Sequence, residues 1–76
     1  MIRVRKCDEN ISIYDAMIDN GEYTDHYSIR VFHVGKEISF IKAYYYAKEI
    51  HIDSNLLKAI LEIMKMENYK LKGDEE

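Results

Sequence analysis

Two alternating segments on either side of Gly35-Lys36 restrict the fold of this chain more than any other feature. Residues 27–34 and 37–41 place apolar and polar side chains in turn, which is the period of strands half-buried in a sheet. Glycine at the first central position suits a two-residue type II′ turn, whose twist matches that of paired strands. Pairing Val34 with Glu37 gathers four apolar residues on one face of a predicted β-hairpin: Ile29, Val31, Ile38 and Phe40.

The residues before the hairpin indicate a short strand and a short helix. Ile2 and Val4 alternate with charged residues, which favours a strand with its polar face in water. Ser12 is suited to cap a helix, and Asn20-Gly21 is suited to end one, because Gly readily adopts the left-handed conformation at a helix C-terminus. We therefore expect a helix over 13–20.

Beyond the hairpin the apolar period changes from two to about 3.6, which predicts two helices. The first is expected over 41–50, where Tyr44 lies on the buried face. The second is expected over 54–68, with Ser54 or Asn55 as its cap. The expected fold class is α+β: a short N-terminal strand, a short helix, a β-hairpin, then two C-terminal helices packed on one face of the sheet.

A chain of 76 residues has room for one small domain, expected over 1–72 with an acidic disordered tail at 73–76. A core of this size supplies only about 3–5 kcal/mol, so a disulfide, a metal or self-association commonly reinforces it. Cys7 is the only cysteine, which excludes an intrachain disulfide. The apolar residues of 54–68 cover about 220° of the helix, more than one sheet can bury. We therefore expect a homodimer.

Targeting and membrane segments are not expected. The residues after Met1–Lys6 are polar, unlike the apolar region of a signal peptide. No apolar run approaches the ~18 residues that a membrane-spanning helix needs. The sequence predicts a soluble, cytoplasmic protein with no membrane partner.

The residue types that commonly perform catalysis are sparse in this sequence. His26, His33 and His51 are expected on a loop, a strand and a turn, each as a surface or turn residue and without the spacing of metal ligands. The sequence has neither nucleophile-elbow glycines nor a phosphate-binding loop. We therefore expect a non-enzymatic protein with no cofactor and no bound metal.

Charge and tyrosine content indicate an interaction surface instead. The net charge is −3, and the stretch between Lys6 and Arg30 contains six carboxylates and no cation. Seven residues are Tyr, three of them consecutive at 44–46, and exposed Tyr is enriched at protein interfaces. The simpler alternative is that the acids solvate a helix and that the Tyr rings are covered by their own chain. The residues predicted to bind a protein partner are Tyr45, Tyr46, Asp15, Asp19, Glu22 and Asp25.

A local pattern supports a different interpretation. Ala47, Ile50, Ile52, Leu57 and Ile60 have the spacing of apolar residues in the helix-turn-helix of bacterial and phage regulators, which this stretch resembles. His51 stands where that family usually has Gly. The resemblance implies a DNA-binding transcriptional regulator using residues 47–62, and nucleic acid is an expected partner only under this alternative. The implied DNA-binding residues, exposed on the second helix, are Ser54, Asn55, Lys58, Ala59 and Glu62.

In size and charge alone, the chain resembles small proteins of phages and mobile elements that block host machinery, anti-CRISPR proteins among them. The resemblance implies an inhibitor that binds a host nucleic-acid-processing complex. We therefore expect a protein-interaction module of this kind, with the DNA-binding regulator as the alternative. An acidic chain attracts DNA phosphates weakly. Binding to DNA would require that only residues 30–72, which carry a net charge of +3, face the DNA.

Overall fold

The computed structural model describes residues 1–71, and in this range the chain forms six strands and one helix. The acidic tail expected at 73–76 lies outside the described residues. The elements in chain order are β1 (Ile2–Cys7), β2 (Ile11–Asp19), β3 (Thr24–Val34), β4 (Glu37–Tyr45), β5 (Lys48–Ile50), α1 (Ser54–Glu67) and β6 (Lys70–Leu71).

The sheet follows chain order from β1 to β5, and each strand pairs antiparallel with the next. Short turns are sufficient for such pairs. β5 pairs with the C-terminal end of β4, whereas β6 runs parallel to the N-terminal end of β4. Helix α1 carries the chain from β5 to β6. No helix in the described part of the chain has the length and apolar character needed to cross a membrane.

The core lies between α1 and the sheet face that this helix covers. Leu56, Ala59, Ile60 and Ile63 are buried on one side of α1, at the spacing of a helical stripe. Full burial of one Leu or Ile side chain contributes about 1.5–3 kcal/mol, so these contacts hold the helix on the sheet. The buried sheet residues of the same cluster are Tyr14, Ala16, Ile29, Val31, Ile38 and Ala43.

Two predicted elements are confirmed, namely the central hairpin and the last helix. Val34 pairs with Glu37, and Gly35 has a φ of 62°, the positive value that a type II′ turn needs at this position. The last helix has nearly the predicted bounds. Asp53 rather than Ser54 caps it, and the Asp53 carboxylate accepts a hydrogen bond of 2.9 Å from a backbone amide of the first turn.

The helix predicted over 13–20 is wrong, because this segment forms most of β2. Ser12, Tyr14 and Ala16 are fully buried on the side of α1, whereas the alternate side chains point to the other face. That other face also carries isoleucine and methionine side chains, so apolar residues on both faces hide the period of two. Gly21, with a φ of 96°, lies in the β2–β3 turn rather than at a helix end.

The helix predicted over 41–50 is also wrong, because β4 continues through most of it and β5 follows after a two-residue turn. The pairing with β3 skips Ser39, and this bulge moves the alternation by one residue. Ile38 and Ile41 therefore share a face three positions apart, a spacing that imitates a helix. Phe40 lies on the opposite face, not beside Ile38 as predicted. The expected pair of C-terminal helices is thus a strand pair and one helix.

The helix-turn-helix expected over 47–62 is absent from this part of the described chain. Strand β5 and a connecting segment at 51–53 occupy the place of the first helix. In that family the first helix crosses the DNA backbone and supports the recognition helix, and here no such helix exists. The residues implied to bind DNA are on α1, where four of them are exposed: Ser54, Asn55, Lys58 and Glu62.

Two hydrogen-bonded polar pairs lie inside the core. His33, expected as a surface or turn residue, is only 6% exposed. Its Nδ1 donates to the Gly35 carbonyl at 2.8 Å, and its Nε2 lies 2.9 Å from the Ser12 hydroxyl. The Tyr14 and Tyr69 hydroxyls are 2.8 Å apart and connect β2 to the segment after α1. Burial, together with this hydrogen bond, raises the pKa of Tyr14 far above its ordinary value.

Candidate functional site

The β2–β3 turn and the β4–β5 turn lie at the same end of the sheet, because successive strands run in opposite directions. The hydroxyl of Tyr45, at the end of β4, donates to Asp25 Oδ1 on β3 at 3.1 Å and joins the two segments. We call this region the acidic end. It comprises Asp19, Glu22, Tyr23, Asp25, Tyr27, Tyr45 and Tyr46.

Three tyrosine rings pack in series at the acidic end. The Tyr27 and Tyr45 ring centroids are 5.0 Å apart, with planes inclined by 37°. The Tyr45 and Tyr46 centroids are 4.6 Å apart in an edge-to-face arrangement. Such spacings are typical of stabilising aromatic pairs. Tyr45 is therefore held in the middle, whereas Tyr46 is 87% exposed.

The turn that carries Tyr46 is strained. Tyr46 and Ala47 have φ values of 53° and 66°, in the left-handed region that favours glycine. Two positive φ values match a type I′ hairpin turn, which usually holds Asn and Gly. A non-glycine residue in this conformation costs about 1–2 kcal/mol. The turn keeps this cost and places a large aromatic ring in water.

The carboxylates of the acidic end are held by the β2–β3 turn. Asp19 Oδ1 accepts a hydrogen bond of 2.9 Å from the Gly21 amide, and Asp25 Oδ2 accepts one from the Asn20 side chain. Glu22 is exposed at the tip. Local hydrogen bonds therefore fix two of the three carboxylates.

Carboxylates and burial both raise the pKa values of tyrosines at the acidic end. The hydrogen bond to Asp25, with a further contribution from burial, raises the pKa of Tyr45 to about 12. Burial, followed by the negative charges of Asp25 and Asp53, raises the pKa of Tyr27. Both rings therefore keep their hydroxyl protons at neutral pH, and the charge of the acidic end comes from its carboxylates.

Among the residues that the structure describes, cations also lie near the acidic end. Lys48 pairs with Tyr45 across the β4–β5 turn. The amino group of Met1 donates to the Met17 carbonyl at 3.1 Å, near the end of β2. Both are exposed, so they reduce the local negative charge without covering the rings or carboxylates.

Five of the six residues predicted to bind a partner lie at the acidic end, and the sixth does not. Asp15 lies in the middle of β2 on the face opposite α1, where its carboxylate is 3.3 Å from Arg5 Nε. The sequence analysis placed Tyr45 on a helix. The structure instead brings it to Asp25 through the strand pairing of β3 with β4.

The sequence analysis missed a second cluster, on the sheet face opposite α1. There Arg30 lies over Tyr44, and Phe32 stacks on Phe40. The alternation that predicted the hairpin already placed Arg30 and Phe32 together, opposite Ile29 and Val31. Their partners on β4, Tyr44 and Phe40, were not predicted, because the bulge at Ser39 moves the residues beyond Ile38 to the opposite face from the one expected.

Metal-binding side chains are scattered over the described residues. Within residues 1–71, no group of three or more His, Cys, Asp or Glu side chains lies close enough to hold a metal ion. Cys7 is an exposed free thiol at the end of β1, and the Ser12 hydroxyl lies 3.5 Å from its sulfur.

Neither a protein-family model, nor a curated protein, nor a solved structure matches this chain. Its function is therefore inferred from the geometry of its own residues.

Proposed function

We propose that the protein is a non-enzymatic interaction module that binds a basic surface of a protein partner through its acidic end. The observation that carries the proposal is the contact between Tyr45 and Asp25 beside the exposed ring of Tyr46. Two segments that are distant in the sequence, one aromatic and one acidic, thereby form one surface.

The chemistry of this surface suits Arg and Lys side chains. A guanidinium or ammonium group is attracted to the face of a tyrosine ring, and the carboxylates of Asp19, Glu22 and Asp25 offer charged acceptors. The ring of Tyr46 contributes contact area at low conformational cost, because tyrosine has few rotatable bonds. The carboxylates accelerate encounter with a positively charged partner.

Basic protein surfaces of this kind commonly bind nucleic acids. An acidic module that occupies such a basic surface competes with the phosphates of the nucleic acid for the same Arg and Lys side chains. This supports the more specific proposal of an inhibitor of a nucleic-acid-processing complex, in the manner of small phage or mobile-element inhibitors. Such an inhibitor acts in the cytoplasm, where the thiol of Cys7 stays reduced.

Affinity capture with matched variants tests this proposal. The immobilised wild-type chain is compared with Tyr46→Ala and with Leu57→Ala, which removes an exposed side chain of α1. We expect Tyr46→Ala to weaken capture of a basic protein by about 30-fold, the effect of losing about 2 kcal/mol at an interface hot spot. Leu57→Ala should capture normally. Equal capture by both variants, or capture of acidic proteins alone, would contradict the proposal.

A further inference from the structure

The sheet face opposite α1 carries a surface distinct from the acidic end. Cross-strand partners share a face of a sheet, so the pairing identifies which side chains project there. We call this surface the open face. Its central rows are Phe32 with Phe40, Arg30 with Lys42, and Ser28 with Tyr44.

The open face presents flat, stacked groups to solvent. The Phe32 and Phe40 rings have centroids 4.4 Å apart and planes inclined by only 16°, and Phe40 is half exposed. The Arg30 guanidinium carbon lies 4.5 Å from the centroid of the Tyr44 ring. Two planar platforms therefore lie side by side on neighbouring strands, where a nucleobase can stack on a ring or on a guanidinium plane.

The charge of the open face is opposite to that of the acidic end. Arg30 and Lys42 project from its centre. β1 adds Arg3, Arg5 and Lys6 to the same face, of which Arg5 contacts Asp15 and Lys6 contacts Asp8, each at 3.3 Å. Within the described residues, neither Arg3, Arg30 nor Lys42 makes an ion pair. Lys42 Nζ lies 5.9 Å from the centroid of the Phe40 ring, and Arg30 lies over Tyr44. Neither contact neutralises the charge, so these cations can attract phosphate groups although the chain is acidic overall.

The Arg30 guanidinium contacts the Tyr44 ring, but one of its donors makes no hydrogen bond within residues 1–71. That donor is the buried Nε. A buried donor without a hydrogen-bond partner is uncommon in folded proteins. A bound acceptor would engage the neighbouring donors of the same guanidinium and stabilise its position over Tyr44.

The open face also carries two carboxylates beside these cations. Asp15 and Glu49 lie in the same cross-strand row as Tyr44. A carboxylate repels a phosphate but accepts a hydrogen bond from a ribose 2′-hydroxyl, which DNA lacks. A groove of about 310 Å³, lined by Arg3, Asp15 and Tyr44 among others, adjoins this row.

We propose that the open face binds single-stranded RNA, with bases stacked on Phe40 and on the Arg30–Tyr44 pair and phosphates near Arg3 and Lys42. A duplex fits poorly, because its base faces are stacked inside and a broad sheet does not enter its grooves. The groove beside Tyr44 is also lined by Tyr27 and Tyr46, so the open face and the acidic end meet along this edge.

Fluorescence anisotropy with a labelled oligouridine strand of about 12 nucleotides, within the range of single-strand binding sites, tests the proposal. At ~50 mM salt we expect binding of this RNA to be several-fold tighter than binding of the matching DNA strand or of an RNA duplex. Phe40→Ala should weaken binding about 5- to 150-fold, the range for loss of one stacking side chain. Lys42→Gln should weaken binding and reduce its salt dependence. The control on α1, Lys65→Gln, should bind normally.

Three results would overturn the proposal. The first is no measurable RNA binding at ~50 mM salt, where electrostatic attachment is strongest. The second is DNA binding equal to or tighter than RNA binding. The third is unchanged binding by both Phe40→Ala and Lys42→Gln, once circular dichroism has shown that they fold. If Phe40→Ala instead converts a dimer to a monomer and RNA does not bind, the open face is a contact between copies.

Discussion

A single hydroxyl group, that of Tyr45, joins the aromatic and acidic parts of the candidate site. The Tyr45 phenol is the donor to Asp25, so this hydrogen bond is lost when the phenol ionises. The sequence identified both residues as candidates from tyrosine content and charge. Their contact could not be predicted, because it depends on the pairing of β3 with β4 beyond the Ser39 bulge.

Tyr45 should give the protein a pH dependence at alkaline pH. Its pKa is about 12 in the folded state against 10.0 for a free tyrosine, so the folded state favours the protonated form. The stability from this hydrogen bond is fully present below pH 10 and is lost as the pH rises from about 10 to about 12. Urea unfolding at a series of pH values should show this loss.

Two variants separate Tyr45 from the other tyrosines in this measurement. Tyr45→Phe should flatten the decline between pH 10 and 12, and the remaining slope comes from Tyr14 and Tyr27, whose pKa values are also raised. Asp25→Asn should lower the pKa of Tyr45 in an ultraviolet titration of tyrosinate. An unchanged titration of Tyr45 in Asp25→Asn would contradict the assigned hydrogen bond.

The buried pair of Ser12 and His33 gives a second prediction at the residue scale. Ser12→Ala removes the partner of His33 Nε2, which lies 2.9 Å from the hydroxyl inside the core. Leaving a buried polar atom unsatisfied costs about 1–3 kcal/mol. Urea unfolding of Ser12→Ala should show this loss. The exposed Ser39→Ala serves as the control and should unfold within about 0.5 kcal/mol of the wild type.

At the scale of elements, the sequence predicted those whose pattern is uninterrupted. β3 alternates without interruption up to the Gly35 turn, and the helix after Asp53 repeats apolar residues at helical spacing, so the hairpin and this helix were predicted. β2 and the end of β4 were predicted as helices for two physical reasons. The open face of β2 is partly apolar, which hides the alternation, and the bulge at Ser39 shifts the alternation in β4. Both effects arise from neighbouring strands, which periodicity within one segment cannot reveal.

The strained β4–β5 turn gives a prediction about glycine. Ala47→Gly should stabilise the fold by about 0.5–1 kcal/mol, because glycine adopts a φ of 66° without steric cost. Thermal unfolding should show a raised midpoint. The matched substitution Ala43→Gly, in the buried part of β4, should lower the midpoint. A lower midpoint for Ala47→Gly would contradict the left-handed turn.

At the scale of the whole molecule, charge and apolar surface are divided among three regions. Carboxylates and tyrosines occupy the acidic end, and cations with aromatic rings occupy the open face. The outer side of α1 exposes a third, apolar region. Its side chains, each about half exposed, are Leu57, Leu61 and Met66.

The apolar stripe on α1 supports the predicted homodimer. Exposed Leu57 and Leu61 lie four residues apart and can bury against the same stripe of a second copy. Light scattering should give about twice the 9.1 kDa mass of one chain. Leu61→Lys should restore the single mass, because a charge in an apolar interface is costly. A single mass for the wild-type chain at ~100 µM would show that the stripe does not join two copies.

Site-specific photocrosslinking tests the binding role of the acidic end most directly. A photoreactive phenylalanine analogue replaces Tyr46 in one sample and Leu61 in another, and each chain is irradiated in cell lysate. We predict that the probe at position 46 attaches to a basic protein, that the probe at position 61 does not, and that added salt reduces the yield by screening. No attachment at position 46, or the same products from both positions, would contradict the account.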